Sequence, residues 1–255
     1  MTDPPMDQSG FPGALVFNLK KESPFSFKCQ VCSACCYNKT IRVSPYEALR
    51  LARRLGLTTT EFYRACTEEG ETVLRNRPDG GCIFQGPRGC GVYPDRPLVC
   101  RLFPLGQITD REGREKYAAM PLHPDCLGLF GADETVESYL DSQGANPYFH
   151  YDGIYAAVFD KILKKLEAKG FSTEGIHLPG EDQPFGPGNL SQQGLLSTRF
   201  DIDKTVAAFC RKHGRKEPES LEEAVSLHLE AIEEWLSALK KSRGREPRNR
   251  GISPL

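Results

Sequence analysis

Apolar residues in the second half of the chain recur at the spacing of an α-helix. The stretch 148–169 carries them three and four positions apart, at Ile154, Tyr155, Val158, Phe159, Ile162, Leu163 and Leu166. Gly170 follows directly, and glycine often ends a helix because it adopts the left-handed conformation at low cost. The pattern therefore predicts one long helix that ends at Gly170.

Two further helices are predicted near the C-terminus, over 201–213 and 218–241. The second has a continuous apolar stripe made of Leu221, Val225, His228, Ile232, Trp235 and Leu239. Residues 171–197, which precede both, are rich in Gly, Pro and Gln and predict a long loop. We therefore expect a mainly helical region over 146–242 and a basic, disordered tail over 243–255.

The first half of the chain predicts shorter helices. Ser44, Pro45 and Glu47 form an N-cap, a first-turn proline and a capping-box glutamate, so a helix is expected over 44–55. A second helix is expected over 60–74, where Phe62 and Cys66 fall four positions apart on one face. Cys66 is therefore expected to be a core residue.

Around these helices the sequence predicts a small hairpin and irregular backbone. Segments 105–109 and 116–120 flank a polar turn and predict the hairpin. Residues 78–104 are dense in Gly, Pro and Cys and predict tight turns, whereas 1–26 are expected to form a flexible lead-in to a cysteine-cluster domain over 27–145. The expected fold class is α+β: an irregular, metal-stapled, cysteine-rich region with short helices and a small hairpin, followed by a mainly helical portion.

The composition argues against a general attraction to nucleic acid or membranes. The 255 residues carry a formal net charge of -1 at pH 7, so the net charge of the protein does not attract polyanions such as nucleic acid. No apolar run approaches the ~18 residues of a spanning helix, and no leader pattern precedes the cysteines. We expect a cytoplasmic protein, and its ten cysteines then indicate metal binding or catalysis in preference to disulfides.

The first four cysteines lie within a single short run, Cys29-x2-Cys32-x2-Cys35-Cys36. A C-x2-C step lets one tight turn aim two sulfurs at the same metal. Thiolates repel one another, so four of them held together need a compensating cation such as zinc or an iron cluster. The alternative, that these are buried apolar cysteines, does not account for the clustering.

A second group, Cys82-x7-Cys90-x9-Cys100, lies in the turn-rich stretch, and Cys126 follows in His123-Pro124-Asp125-Cys126. Glycines between these cysteines allow the positive-φ backbone that wraps a metal. Adjacent residues point away from each other in regular structure, so the side chains of Cys35 and Cys36 are expected to diverge. Either two sites of four thiolates or one site with spare thiols is then possible.

Two arginines and one histidine are further candidates near these cysteines. Arg96 and Arg101 bracket Cys100, where a guanidinium could lower a thiol pKa or offset the charge of a cluster, although both also fit a surface position. His123 is an imidazole beside Cys126 and is more often structural than a ligand.

The run from Cys29 to Cys36, together with Tyr-Pro-Asp-Arg-Pro-Leu-Val-Cys-Arg-Leu-Phe-Pro at 93–104, resembles the YkgJ-like cysteine-cluster family, a zinc- or iron-chelating domain. The resemblance covers roughly residues 27–130. It implies a metal-binding set that leaves out Cys66 and Cys210 and consists of Cys29, Cys32, Cys35, Cys36, Cys82, Cys90, Cys100 and Cys126. Flagellin lysine-N-methylases look similar in the cysteine region, which implies methyl transfer as a further activity, but the chain has no G-x-G-type nucleotide loop.

Three functions therefore compete. The favoured one is an iron–sulfur protein with a redox or accessory role, because the C-x2-C-x2-C run has ferredoxin spacing, although the x3-Cys-Pro continuation is missing. The alternative is a structural zinc module that supports binding of a partner. The third is an enzyme, either lysine N-methylase-like or one with a cysteine nucleophile or an open metal position. The partner is expected to be a protein or a small molecule.

Overall fold

The computed structural model of the protein describes residues 15–109, 114–168 and 199–238. The chain divides into two compact units, Met1–Ile154 and Tyr155–Leu255, with the boundary inside one long helix. Helices and small antiparallel strand pairs occur together, which confirms the predicted α+β class. The sequence places the boundary earlier, between residues 145 and 146, and that division into domains stays a prediction.

The first unit begins its helical part at α1, Pro45–Leu55, as predicted. The capping box forms: Ser44 N donates to Glu47 Oε2 over 2.7 Å, and Glu47 N donates to Ser44 Oγ over 3.4 Å. Gly56, with a φ of 68°, ends the helix in the left-handed conformation. The local sequence therefore determines both ends of this helix.

The second helix, α2, spans Thr59–Cys66 and is shorter than the 60–74 that the sequence predicts. Thr67 leaves the helical conformation and pairs as a β-bridge with Leu74, while its hydroxyl donates to Tyr63 O over 2.6 Å. Gly70 then takes a φ of 75° in a short turn. The prediction of the helix end was wrong because Thr67 finds a β partner, but Cys66 is buried as expected.

Six strands form three antiparallel pairs in the described part of the first unit. They are β1 (Pro24–Lys28) with β6 (Leu129–Thr135), β2 (Gln85–Gly86) with β3 (Gly89–Cys90), and β4 (Leu105–Thr109) with β5 (Glu115–Ala119). The β4–β5 pair confirms the predicted hairpin, whose turn, 110–113, lies outside the described residues. Strand β1 corrects the end of the lead-in predicted over 1–26, because Phe25 and Phe27 are buried against the partner strand and its surroundings.

Two apolar cores support the cysteine segments. One includes Phe27 and residues of α3 (Leu98–Leu102) and α4 (Val136–Ser142), and the partly buried Cys126 packs against it. The other joins α1 and α2, and the partly buried Cys90 packs against that one. The regular parts of the unit thus provide a fixed base for cysteines that themselves lie mostly in turns.

The second unit contains the C-terminal part of α5 (Asn146–Ala168), α6 (Ile202–His213) and α7 (Leu221–Ala238). These confirm the three predicted helices, although α7 starts three residues later than predicted because Ser220 Oγ accepts a hydrogen bond from Glu223 N over 3.0 Å. The predicted loop 171–197 and tail 243–255 lie outside the described residues. Among the described helices, none combines the length and apolar character that crossing a bilayer requires.

His228 on α7 is a structural residue. Its ring is fully buried, Tyr155 Oη lies 2.9 Å from Nδ1, and Nε2 lies 2.7 Å from Arg199 O. A carbonyl oxygen only accepts, so Nε2 donates and Nδ1 accepts from the tyrosine hydroxyl. Burial lowers the pKa of His228 to about 4, which keeps the ring neutral in this core.

Candidate metal centre

The first cysteine run follows β1 as a turn with unusual backbone angles. Val31 and Ser33 have φ values of 53° and 64°, and the one-turn 3₁₀-helix Ala34–Cys36 comes next. Val31 N donates to Cys29 Sγ over 3.4 Å. Left-handed residues at alternate positions therefore coil the chain tightly enough for backbone N–H groups to reach the sulfurs.

Backbone hydrogen bonds join the first run to the second group. Cys82 N donates to Cys36 O over 2.8 Å, and Asn38 N donates to Gly80 O over 2.8 Å. At Gly89, with a φ of 92°, an added Cβ would lie 2.3 Å from Val31 Cγ1, so only glycine allows this approach. These contacts bring the segments that carry Cys82 and Cys90 against the first run.

Backbone N–H groups approach several of the sulfurs. Val31 N donates to Cys29 Sγ and Leu127 N donates to Cys32 Sγ, each over 3.4 Å. Burial raises the pKa of Cys82, Cys90 and Cys126, and the N–H groups two residues later in the chain act in the opposite direction. Such groups stabilise a thiolate relative to the thiol, so these turns offset part of the effect of burial.

The Cys35 thiol acts electrostatically on most of the other predicted ligands. Besides burial, a negative charge on Cys35 acts to raise the pKa of six other thiols, those of Cys32, Cys36, Cys82, Cys90, Cys100 and Cys126. Charge repulsion of this kind falls off with distance, so these six thiols lie in the same region of the fold as Cys35. Cys29 is exposed and directly follows β1.

The expected divergence of Cys35 and Cys36 stays a prediction. The two residues lie together on the 3₁₀ turn. Interaction with Cys36 lowers the pKa of Cys35 to about 7, and interaction with Cys35 raises the pKa of Cys36 well above its usual range. The two thiols therefore affect each other's protonation.

Cys32 and the loop of Cys126 lie close together, because Leu127 N donates to Cys32 Sγ over 3.4 Å. Although partial burial acts in the opposite direction, the N–H groups of Leu127 and Ala34 and the Cys126 thiol together lower the pKa of Cys32. For Cys126, partial burial is the main cause of a raised pKa, with repulsion from Cys32 adding to it.

The eight predicted ligands differ in exposure from the other two cysteines. Cys29 and Cys100 are exposed, the remaining six are half-buried, and Cys66 and Cys210 are buried. Although Cys100 is exposed by its accessible surface, protein atoms crowd its sulfur, and burial followed by the charges of Cys82 and Cys35 raises its pKa. Solvent can therefore reach the predicted ligands other than the sulfur of Cys100.

The donor set fits a thiophilic metal by its chemistry. Sulfur ligands select zinc and iron over hard cations such as magnesium, and the N–H groups compensate part of the negative charge. Within the described parts of the chain, no three His, Cys, Asp or Glu side chains already stand in position to hold a metal ion. Metal binding therefore requires the sulfurs to lose their protons and to move together around the ion.

Arg96 and Arg101 are buried, with 8% and 6% exposure, and are not the surface arginines that the sequence also allowed. Arg101 donates to the carbonyl oxygens of Arg96, Gln143 and Pro94 and, over 2.7 Å, to Tyr148 Oη. Arg96 donates to Tyr93 O and Gln143 Oε1, and its charge helps to lower the pKa of Cys35. Arg101 thus holds three backbone carbonyl groups in place. The charge of Arg96 also acts on the thiol of Cys35.

His123 lies on the turn that carries Cys126, whose N–H donates to His123 O over 2.8 Å. The His123 side chain is 53% exposed, and its Nδ1 accepts a hydrogen bond from Asp125 N over 3.2 Å. A ligand role for His123 stays a prediction. A surface hollow of about 430 Å³ contains none of the eight cysteines; it is lined by Lys20, Lys21, Glu22, Arg114, Glu115 and Lys116.

Glu47 has a second role that the sequence did not predict. Besides closing the capping box, its Oε1 accepts a hydrogen bond from Leu98 N over 2.6 Å, at the start of the helix that carries Cys100. Glu47 is 4% exposed, and burial together with the negative charge of Asp152 raises its pKa to about 7. The buried carboxyl group of Glu47 thus anchors α3. The sequence could not predict this role, because Leu98 lies 51 residues away from Glu47 in the chain.

The raised pKa predicts how stability depends on pH. The folded state holds the proton of Glu47 up to about pH 7, whereas an unfolded carboxyl loses it near 4.5. Its favourable contribution is thus complete below pH 4.5 and is lost as the pH rises through 7, a change of about 3 kcal/mol. Between pH 4.5 and 8, the free energy of unfolding of the wild type, measured with denaturant, should fall by that amount relative to the free energy of unfolding of Glu47→Gln. The helix α2 begins with a second capping box, formed by Thr58 and the exposed Glu61, so Glu61→Gln serves as the control. A parallel pH dependence of wild type and Glu47→Gln would contradict the prediction.

Val31 provides a test of the strained turn. A β-branched residue at a φ of 53° is unfavourable. Val31→Gly should therefore raise the free energy of unfolding of the metal-free protein by about 0.5–1 kcal/mol, after the entropy cost of glycine is included. Val99→Gly, at an equally exposed helical position of α3, should instead lower it by about 1 kcal/mol. Equal destabilisation by both glycines in denaturant titrations would rule out strain at Val31.

The comparison with known proteins gives one family. The family model "CxxCxxCC: Putative zinc- or iron-chelating domain" matches residues 28–122. Seven of the eight predicted ligands lie inside the match, and Cys126 lies just beyond it. No curated protein and no solved structure gives a significant match. The match supports binding of zinc or iron in general and leaves the choice between them open.

Proposed function

Given a CxxCxxCC domain at residues 28–122, we propose that the protein binds an iron–sulfur cluster through the thiols that surround Cys35. The central thiol group is defined as Cys35, Cys36, Cys82, Cys90 and Cys100. Charges within this group act on one another: Cys82 on Cys90 and Cys100, and Cys100 on Cys36. This mutual proximity of five thiols is the observation that carries the proposal.

The number of thiols does not separate iron from zinc, because a structural zinc site and an iron–sulfur cluster each use four cysteine ligands. Iron is favoured instead by the ferredoxin-like C-x2-C-x2-C spacing and by the accessibility of the thiols. Each is exposed or half-buried, which suits electron exchange with a partner that must approach closely. When bound, such a cluster supplies one-electron redox chemistry, and N–H groups on its sulfurs tune the reduction potential.

The chain's own groups would balance the charge. Four or more thiolates carry more negative charge than the metal and sulfide together neutralise, and Arg96 places a buried positive charge toward Cys35 and Cys90. The N–H groups of Phe84 and Val92 add partial positive charge at two of the sulfurs. These groups support metal binding without being ligands.

A structural zinc module remains the second candidate, and the backbone around the second cysteine group favours it. Between α2 and α3 the described chain contains only two-residue strands and single turns of 3₁₀-helix. Such a segment gains little from regular hydrogen bonding, and a metal would staple it to the first run. In that case the centre would stabilise a surface for an unidentified protein or small-molecule partner, in a cytoplasmic setting.

Anaerobic purification followed by elemental analysis and visible spectroscopy distinguishes the two candidates. The proposal predicts a brown protein with iron and acid-labile sulfide in similar amounts and an absorbance that bleaches on reduction. A colourless protein with stoichiometric zinc and no iron, after growth with iron supplied, would overturn the iron–sulfur proposal in favour of the zinc module. Cluster reconstitution of the purified chain provides an independent repeat of the measurement.

A further inference from the structure

Strand β6 has one edge that no strand of the described chain occupies. Its seven residues, Leu129–Thr135, pair with β1 on one side only. Alternate residues of an antiparallel strand direct their N–H and C=O groups away from the paired strand, so the open edge offers hydrogen-bonding groups to another chain. Proteins often protect such an edge with lysine or proline, but β6 contains neither. The register shift in its pairing lies at the Thr135 end and leaves the rest of the edge regular.

Apolar side chains at the start of β6 are exposed to solvent. Leu127, Leu129 and Phe130 are 64%, 63% and 48% exposed. A single exposed apolar residue is ordinary, whereas several neighbouring ones on an open edge are typical of a binding surface. Leu127 N donates to Cys32 Sγ over 3.4 Å, so these residues lie beside the first cysteine run. The β6 surface is defined as Leu127, Leu129, Phe130, Asp133 and Glu134.

Charge is unevenly distributed along this surface. Asp133 and Glu134 are exposed at the C-terminal end of β6, and Ser26 Oγ on β1 donates to Asp133 Oδ1, which holds that carboxylate in place. At the other end, the exposed Lys28 of β1 pairs with Leu129. An added strand is therefore favoured when its basic residues lie beside the two carboxylates and its uncharged apolar residues lie beside the apolar end.

From these observations we infer that the β6 surface binds an extended segment of a partner protein, which adds to the β1–β6 pair as an antiparallel strand. Lysine or arginine residues in the N-terminal part of that segment lie beside Asp133 and Glu134, and apolar residues in its C-terminal part lie beside Leu129 and Phe130. A second copy of this chain fits less well, because two β6 strands would bring four carboxylates together along one edge.

Apolar packing, and not a metal, holds the β6 surface in place. Phe25 and Phe27 of β1 are buried in an apolar core, and the Phe130 ring contacts both, with ring centroids 6.0 Å and 5.4 Å apart. The surface is therefore present whichever metal the neighbouring centre holds. A partner segment on β6 would lie close to Cys32, so the docked protein would be placed beside the candidate metal centre.

Fluorescence anisotropy with the full, anaerobically purified chain tests the docking surface. The probe is a labelled heptapeptide, Thr-Lys-Lys-Val-Thr-Val-Ile with blocked ends, whose lysines lie opposite Asp133 and Glu134 in an antiparallel register. It should bind at least about tenfold more tightly than the same peptide with glutamate in place of both lysines. Hydrogen exchange should show new protection of backbone amides in Leu129–Thr135 when the lysine peptide is bound.

Two N-methylated versions of the peptide test for strand addition. Each carries methyl groups on one alternate set of backbone amides, so only one version is blocked on the edge that faces β6. That version should bind at least about tenfold more weakly, and the other should bind as the unmodified peptide does.

A pair of matched variants locates the binding site on the protein. Leu129→Ser removes an exposed apolar contact and should weaken binding of the lysine peptide about tenfold. Val16→Ser alters a residue that is also largely exposed but lies outside the β6 surface, and it should bind the peptide as the wild type does.

Several results would overturn the inference: no binding at millimolar peptide, equal binding of the lysine and glutamate peptides, or full binding by both N-methylated versions. A dimer of the wild type in analytical ultracentrifugation that Leu129→Ser dissociates would instead identify a second copy of the chain as the occupant. Peptide binding and metal content are measured separately, so a failure of the docking surface is distinguishable from a failure of the proposed metal binding.

Discussion

Replacing Arg101 by alanine is expected to lower the free energy of unfolding of the first unit by about 3–5 kcal/mol, as removal of one partner from a buried charged network does. The guanidinium group donates to three backbone carbonyl oxygens and to Tyr148 Oη, and its Cζ lies 4.3 Å from the centre of the Tyr148 ring. Alanine would leave these buried acceptors without donors.

The substitution should also disturb the candidate centre, because Arg101 follows Cys100 on α3 and fixes the carbonyl of Arg96. Denaturant unfolding of the reduced, metal-free protein measures the loss. Arg101→Lys should recover little of the lost free energy of unfolding, because a single ammonium group cannot reach all the acceptors that surround the planar guanidinium group. Arg88, an exposed residue of the turn-rich stretch 78–104, provides the control. Arg88→Ala should change the free energy of unfolding by less than about 0.5 kcal/mol. Equal stability of Arg101→Ala and Arg88→Ala would refute this account of Arg101.

The second large effect is expected on removal of the metal. Structural metal ions contribute on the order of 10 kcal/mol to small domains whose ligands come from loops. A chelator should therefore abolish the protection of backbone amides against hydrogen exchange in the segments around Cys35 and between α2 and α3. Peptides from α7, in the second unit with its own buried core around Ile232 and His228, should keep their protection.

Hydrogen exchange followed by mass spectrometry measures both segments in one experiment. The control is the same chelator saturated with metal beforehand, which separates metal removal from direct effects of the reagent. Should exchange around Cys35 remain unchanged after elemental analysis confirms that the metal is gone, the metal would have no stapling role and the two apolar cores alone would maintain the fold.

The sequence predicted those features that local chemistry determines. The capping box of Ser44 and Glu47 and the stop at Gly56 define α1 through neighbouring residues, and all three act as expected. The strand β1 was missed because its partner, β6, lies about a hundred residues later in the chain. Only that distant strand turns the short run around Phe25 and Phe27 from a lead-in into a buried element.

For the candidate site, too, the sequence predicted some features and missed others. Cysteine spacing predicted which thiols to consider, but not their arrangement around Cys35, which depends on backbone contacts such as Cys82 N to Cys36 O. The burial of Arg96 and Arg101 was equally hidden, because Gln143 and Tyr148, which enclose them, come from other parts of the chain.

The account's central claim is that the thiols around Cys35 hold the metal, and metal content per chain in single cysteine variants tests it most directly. Cys35→Ser should reduce bound iron or zinc more than about tenfold in anaerobic preparations, as loss of a ligand does. Cys210→Ser, which alters a buried thiol in the second unit, should keep the wild-type content. Wild-type metal content in a folded Cys35→Ser protein would contradict the claim.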